Sequence, residues 1–453
     1  MAKRLNGLVA LLIAAAAWFV APPAGAIGGL ARAERTTEVQ QVKSPGGITA
    51  WLVQDKLNPI VALRFAFRGG AALDPEGREG LARMAAALLD EGAGEMDAKA
   101  FRAALEDRSI SLSFDASFDE FGGSLQALTE HRDKAAELLA LALTRPRFDP
   151  DALARVRSQI LARLRRDAES PDTIAQIRLF AEIFPGHPYG RRTRGTLDSI
   201  PRIGPDDLRG FVGARLARDT LVVGAAGDIS AADLGRMLDR VFGALPANAA
   251  IAPVAEVAPK IDSRTLVSRL KVPQSAIVFA APGIKRDDPD YYAASVLNYI
   301  LGGGGFTSRL YEEVREKRGL AYSAGTSLHP LRRSALVMGS AATANARVRE
   351  TIAVVRAEWR RMAEGGARAE EIADAKTYLT GSFPLRLTTL GGIAGMLLGM
   401  QLENLGPDYI DRYKSLIAAV DAESVARVGR RLLDPDRLLM VVAGEPEGLA
   451  EAE

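Results

Sequence analysis

Apolar positions along the chain fall into two matching sets. Ile48 to Val53 and Val61 to Phe67 read as strands, and so do Thr265 to Leu270 and Ala276 to Ala280, because each run is short, apolar and bounded by polar residues. Helical patterns follow each pair of strands. Asp149-Pro150-Asp151 supplies a start signal for a helix running through Arg166, and Ala369 to Leu379 carries another. Each set then closes on a continuous apolar run, Asp219-Thr-Leu-Val-Val-Gly-Ala-Ala-Gly227-Asp228 and Asp436-Arg-Leu-Leu-Met-Val-Val-Ala-Gly444-Glu445, of the kind that forms a buried strand. Strands that come in groups, without alternating one for one with helices, point to an α+β class. The expected unit is a mainly antiparallel sheet with helices packed on one face.

The unit is used twice. Phe65-Ala66 opens a segment that continues through Asp74-Pro75 into a helical stretch, and Phe279-Ala280 does the same through Asp288-Pro289 roughly 215 residues later. The two closing strands repeat at nearly the same offset. An Ala- and Pro-rich stretch between the sets reads as a linker, so the expected domains are 38–246 and 263–449, joined by 247–262. Ahead of both, Lys3 and Arg4 precede an apolar run from Leu8 to Ala21, followed by Pro22-Pro23-Ala24-Gly25-Ala26. That run is short of the roughly 18 residues of a membrane span and ends on small residues, as a signal peptide does. The expectation is a signal peptide over 1–26, a short lead over 27–37, export to a bacterial periplasm, and no membrane attachment after cleavage. An uncleaved anchor is the alternative.

Composition narrows the chemistry. The 453 residues are 48% hydrophobic and 25% charged, ordinary values for a globular protein. Of 58 Lys and Arg, two lie in the leader, which leaves 56 against 56 Asp and Glu. Such a balance argues against a nucleic-acid partner, which requires clustered cations. Cysteine is absent, so disulfides, thiolate metal sites and cysteine nucleophiles are excluded. Histidine is limited to His131, His187 and His329, too widely spaced for a local ligand pair. His131 reads as a solvated helix start, His187 as a loop residue before Pro188, and His329 as a structural residue before Pro330.

Three segments carry a family resemblance. They are Phe67-Arg-Gly-Gly-Ala-Ala-Leu-Asp-Pro-Glu-Gly-Arg-Glu-Gly80-Leu-Ala, Gly186-His-Pro-Tyr-Gly190, and Leu301-Gly-Gly-Gly-Gly-Phe-Thr-Ser-Arg-Leu-Tyr-Glu-Glu-Val-Arg-Glu-Lys-Arg-Gly-Leu-Ala-Tyr322-Ser. With the duplicated α+β plan, they resemble the M16 peptidases, the insulinase-like and mitochondrial-processing-peptidase-like family. The resemblance implies a clam-shaped pair of domains around a peptide-sized chamber, and in active members a zinc metallopeptidase. There the helix after Gly-Leu-Ala carries H-x-x-E-H, two His on one helical face with a Glu acting as base toward a zinc-bound water. The matching positions here are Arg83, Ala86 and Ala87. Alanine offers no donor atom and a protonated Arg repels a cation, so no zinc can be held by these groups. The family's third ligand is a Glu on a later helix; from Ala152 to Arg166 there is no Asp or Glu, and Gln159 or Arg163 stands near the expected place. Leu81, Met84, Ala85 and Leu88 instead form an apolar stripe suited to packing on a sheet.

The opposite side of the chemistry is retained. Family members carry an Arg and a Tyr seven residues apart that reach the substrate across the chamber, and Arg315 and Tyr322 match in type and spacing. By resemblance they bind substrate, since a guanidinium and a phenol can donate to an oxygen on which negative charge develops. On structure alone, Arg315 would pair with Glu312 at i, i+3 and Tyr322 would be one strand residue among others. Gly319 suits a left-handed helix cap. Gly302, Gly303, Gly304 and Gly305 read as a loop of close backbone approach or positive φ, with peptide contact as the reading implied by the family. The expectation is therefore a non-catalytic, substrate-binding subunit with no cofactor of its own. Zinc would belong to an H-x-x-E-H-bearing paralogue in a heterodimer acting on peptide. Two alternatives are a peptide-binding or assembly protein with no part in proteolysis, and a self-sufficient enzyme of different chemistry.

Overall fold

A computed structural model describes residues 38–450; the segments read as signal peptide and lead lie outside the described residues. The first half builds a sheet from β1 (Gln40–Lys43), β2 (Thr49–Gln54), β3 (Ile60–Arg68), β6 (Ser111–Ala116), β7 (Glu120–Leu128) and β8 (Leu221–Gly227), with β4 (Gly92–Ala93) and β5 (Met96–Asp97) forming a separate small ladder. The second half builds its sheet from β9 (Thr265–Arg269), β10 (Gln274–Pro282), β11 (Ala321–Leu331), β12 (Ser334–Ala344) and β13 (Leu439–Gly444).

The duplication is visible in the strand order. The first sheet runs β1-β2-β8-β3-β7-β6 and the second β11-β12-β10-β13-β9, so that once β1 is set aside the two orders are the same read in opposite directions. All pairings are antiparallel except β2 with β8 and β9 with β13, where the opening strand of a half lies parallel to its closing strand. Even the central detail repeats. Phe65 faces Gly123 across β3 and β7, and Phe279 faces Gly339 across β10 and β12. In both places a Cβ on the glycine would collide with the phenylalanine ring, 2.9 Å away in one and 2.2 Å in the other.

One face of each sheet is covered as the sequence pattern suggests. Val61, Leu63, Phe65 and Phe67 point to Leu234, Leu238 and Phe242 of the Ala231–Phe242 helix, and Ile277 and Phe279 point to Val355 and Trp359 of the Val348–Gly365 helix. Beyond the one face that its own helices occupy, each sheet has its other face covered by a helix of the other half. There the Pro171–Ile183 helix of the first half sets Ala175, Leu179 and Ile183 on Val278, Ala280, Val441 and Ala443 of the second sheet. Reciprocally, the Leu390–Leu402 helix of the second half sets Ile393, Ala394 and Leu397 on Val53, Ala62 and Ala226 of the first. The central strands are apolar on both faces, and the residues on the second face are small enough to let a helix lie close. A Cβ on Gly224 would come 2.3 Å from the carbonyl oxygen of Ala394. Among the described residues no single helix is long and apolar enough to cross a membrane.

Polar contacts tie the halves where the helices cross over. Tyr189, from the Gly186-His-Pro-Tyr-Gly190 segment, donates from its hydroxyl to Asp119 Oδ1 (2.6 Å) and accepts from the Arg333 N–H (3.0 Å), while the Arg332 N–H donates to Asp119 Oδ2 (3.2 Å). The 247–262 segment forms neither helix nor strand but is strapped down, with the Val257 N–H donating to the Arg333 carbonyl and the Lys260 N–H to that of Ile183. Gly224→Val should therefore lower stability by ~1–3 kcal/mol or more through overpacking. Gly395→Ala, on the Leu390–Leu402 helix that packs against Gly224 and with open space around it, should raise stability by ~0.5–1 kcal/mol. Urea unfolding of both variants checks the pair.

Candidate functional site

At the helix where a metal motif would stand, Asp74 is the organising group. The Leu81–Ala86 helix starts at Gly80, whose φ of 93° belongs to the left-handed region. Asp74 Oδ2 accepts from the Gly80 N–H (3.1 Å) and Oδ1 from the Ala82 N–H (3.2 Å), and Arg215 approaches Oδ1 at 3.1 Å. Burial pushes the Asp74 carboxyl up to about 6 against the pull of Arg215 and the two amides, so it is ionised at neutral pH. A buried pair of this kind costs ~3–5 kcal/mol when one partner is removed. The helix therefore has a structural anchor that needs no metal. Leu81, Met84, Ala85 and Leu88 are all buried, as their spacing requires.

The three motif positions carry no ligand. Ala86 is buried and Ala87 exposed, and Arg83 is half-buried with its Nε enclosed and without a hydrogen-bond partner. Gln159 and Arg163 lie exposed on the Pro150–Asp167 helix. Burial, then Arg194 and Arg163, hold the Arg83 guanidinium below its ordinary pKa, with Asp115 opposing. Zinc does not fit a position surrounded by cations and alanine methyls. Among the described residues no group of three or more His, Asp or Glu is placed to hold a metal ion.

The histidines do not converge. His131 stands at the end of a short turn before the Arg132–Thr144 helix, 3.9 Å from Glu130. His187 uses both ring nitrogens, Nδ1 accepting from the Tyr189 N–H (3.2 Å) and Nε2 meeting the Ala255 carbonyl (3.1 Å). His329 lies on β11, its pKa lowered by burial, with Nε2 3.0 Å from Ser327 Oγ. That Ser-His contact is the one catalytic-looking pair the sequence reading missed; its signal was the i, i+2 spacing on one strand face. No carboxylate is hydrogen-bonded to the His329 ring among the described residues, so the third member of a triad is lacking.

Arg315 and Tyr322 do come together. The chain passes from the Arg309–Tyr311 helix into a wide turn over Glu312–Glu316, reverses at Gly319 (φ 56°), and enters β11. An irregularity in the β11–β12 register between Ala321 and Ala324 takes Tyr322 out of the ladder, leaving it 81% exposed. The Arg315 guanidinium carbon lies 4.6 Å from the Tyr322 ring centre and 4.9 Å from that of Tyr311, within cation–π range. The alternative Arg315–Glu312 pair does not form. Glu312 takes Lys317 (3.0 Å) and Arg315 is only loosely beside Glu316 (3.8 Å), so its donors stay available. The turn is held from beneath by buried Glu313, which binds Lys317 (2.7 Å), Arg318 (2.5 Å) and Arg361 (3.5 Å). Hydrogen bonds from Lys317 and Arg318 hold the Glu313 carboxyl down to about 2.

These residues border a groove of about 600 Å³ whose floor is β11 and β12, with Gln176 of the first half at its side. Gly302 and Gly303 line it with Gly305, and Phe306, 77% exposed, stands at the rim with its ring edge-on to Tyr311. A Cβ on Gly302 would be 2.5 Å from the Thr326 nitrogen, and Gly305 has a φ of 58°, the close approach and positive φ expected of this loop. β11 is the edge of its sheet, the position at which an extended chain can add to a sheet. The site can thus donate hydrogen bonds from a guanidinium and a phenol to a bound backbone. Ser327 and His329 line the same groove, with no carboxylate hydrogen-bonded to the imidazole among the described residues.

Residues 202–379 match the family described as the peptidase M16 inactive domain. The non-peptidase homolog YmxG of Helicobacter pylori is 32% identical over 355 residues, spanning 78% of this chain and 81% of that one. An uncharacterized zinc protease of Streptomyces coelicolor is 27% identical over 73% of this chain and 76% of its own. Among solved structures, a peptidase M16 inactive domain from Pseudomonas fluorescens superposes with a TM-score of 0.85 at 30% identity, covering 92% of this chain and 100% of that one. A protease from Helicobacter pylori shares the fold at a TM-score of 0.82 and 18% identity, over 90% and 99% of the two chains. Alanines at the ligand positions, a helix anchored by Asp74 and Arg215, and these likenesses agree: the chain belongs to the peptidase M16 family, as a non-catalytic protein of the M16 fold.

Proposed function

We propose that this protein is the substrate-binding subunit of a periplasmic M16-type zinc metallopeptidase. In this reading an H-x-x-E-H-bearing paralogue holds the zinc and the attacking water, and this chain supplies Arg315 and Tyr322 to the peptide bound there. The observation that carries the reading is the asymmetry of the two sites. The metal position is blank and cationic, while Arg315 and Tyr322 stand together at the mouth of a peptide-sized groove with their donors uncommitted. A decaying enzyme has no reason to keep one side of the chemistry exposed and ordered while losing the other. The periplasmic assignment rests on the leader at Lys3 to Ala26.

The division of labour has a clear chemical form. As water adds to a peptide carbonyl at the partner's metal, charge grows on the oxygen. The Arg315 guanidinium and Tyr322 hydroxyl donate to that oxygen or to the adjoining peptide backbone, and the exposed Phe306 ring offers an apolar contact for a side chain. The cation–π contact keeps the guanidinium beside the phenol, and Glu313 holds the turn that carries it.

Reconstitution with the zinc-bearing paralogue tests this. Arg315→Ala or Tyr322→Phe should each lower kcat for peptide hydrolysis by about 10²–10³, the usual effect of removing one such donor, with complex assembly and partner zinc content unchanged. A partner fully active alone, or variants without effect, would refute the reading, as would stoichiometric zinc and chelator-sensitive turnover in this chain by itself. Recovery of the chain bound to unfolded peptide with no peptidase partner would instead favour a peptide-binding or assembly role. The turn makes its own prediction. Because the Glu313 pKa is depressed from 4.5 to about 2, its contribution to stability is complete above about pH 4.5 and is lost as the pH falls toward 2. The gap in melting temperature between the parent and Glu313→Gln should therefore be widest near neutrality and close in acid.

A further inference from the structure

The groove bordered by Arg315 and Tyr322 is lopsided in its chemistry. The described residues that line it include no Asp, Glu or Lys, and Arg315 is their one permanent charge. Burial lowers the pKa of His329, so that ring is neutral at about pH 7.5. Glu312 and Glu313 are engaged by Lys317, and Glu316, 3.8 Å from the Arg315 Nε, is not part of the lining. Apolar surface is supplied at the rim. Phe306 is 77% exposed, although the turn that carries it is pinned on both sides. Thr307 Oγ1 donates to the Gly304 carbonyl (3.1 Å) and the buried Ser308 Oγ donates to that of Gly305 (2.8 Å). The Phe306 and Tyr311 rings meet at 82° with centres 4.9 Å apart, and most of the Phe306 ring stays in solvent.

We infer that the groove selects peptide segments that carry a large apolar side chain, aromatic above all, with no Lys or Arg beside it. This rests on the peptide lying in the groove, as in the proposed function, and adds which peptides are taken. A phenylalanine held in water on a fixed turn is apolar surface already placed for burial, with little ordering cost on binding. A Lys or Arg of the ligand meets the opposite situation. It leaves water for a lining without a carboxylate and comes near Arg315, so desolvation and like-charge repulsion act together. A neutral or acidic neighbour escapes both. The two rules come from separate residues, Phe306 for the apolar anchor and Arg315 for the exclusion of cations.

The test uses the full chain and three acetylated, amidated peptides built on one host of Ser and Ala. The first has Phe beside Gln at its centre, the second Ala beside Gln, and the third Phe beside Lys. By isothermal titration at about pH 7.5 and low salt, the first should bind about tenfold more tightly than the second and about threefold more tightly than the third, the latter gap shrinking in high salt. Phe306→Ser, at an exposed position, should remove the preference for Phe over Ala and keep that for Gln over Lys; Arg315→Gln should do the reverse. Equal binding of the Phe and Ala peptides, a Lys peptide bound as well as its Gln counterpart, ratios unmoved by either variant, or no binding of the first peptide at about 1 mM would overturn the selectivity. Hydrolysis by the reconstituted peptidase separates this inference from the reading it rests on. If Arg315→Ala lowers kcat while Phe306→Ser leaves the ratio of kcat/KM for the first two peptides untouched, the selectivity fails and the division of labour stands. Selective binding by the chain, with hydrolysis indifferent to Arg315→Ala, removes the division of labour and keeps the selectivity.

Discussion

Each sheet carries a second apolar face that its own half cannot cover, and the exchange of the Pro171–Ile183 and Leu390–Leu402 helices is what keeps both faces dry. Apolar area left in water costs roughly 25 cal/mol per Å², so neither half is a complete folding unit with its partner helix removed. The crossing polar contacts at Tyr189, Asp119 and Arg333 are then placed by a packing that already exists. This mutual cover sets the positions of the groove, of the Gln176 wall that the first half lends to it, and of the loop that brings Arg194 to the old metal helix.

The same packing explains how catalysis can be absent while the fold stays intact. A zinc motif contributes ligands from one helix face, whereas the stability of that helix comes from its other face and its start. Here the start is held by the Asp74 carboxylate between two amides and Arg215, and the buried face by Leu81, Met84, Ala85 and Leu88. Neither device uses positions 83 or 87, and Ala86 adds only a methyl group to the buried side, so function and fold are separable at this element. The consequence is electrostatic as well as chemical. A place that would attract a divalent cation in an active relative carries an arginine and alanine methyls here and offers a cation no ligand.

At the other site the structure has done the reverse, stabilising a turn whose only evident product is the presentation of two donors. Glu313 is consumed by Lys317, Arg318 and Arg361, and Glu312 by Lys317. Those pairings absorb the nearby carboxylates that would otherwise capture Arg315. The guanidinium is left with an aromatic neighbour, which steadies it without using its hydrogen-bonding edge.

Much was legible in the linear chain. The paired strands, the repeat, the Gly319 cap and the helix beginning at Pro150 follow from local patterning, because periodicity and turn chemistry act over a few residues; the blank metal positions follow from the family resemblance. Arg315 and Tyr322 could be named through the family resemblance, and the competing Arg315–Glu312 pair is not made because Lys317 takes Glu312, which local proximity on a helix does not reveal. What tertiary structure alone decided is which surface meets which. A pattern of apolar residues says that a helix face must be buried; it cannot say that the face belongs on the sheet of the other half, or that Tyr189 joins residues far apart in sequence. Those outcomes depend on long-range shape matching, on Gly224 leaving room for a helix backbone and small residues lining the second face, and such matching exists only once both halves are in place.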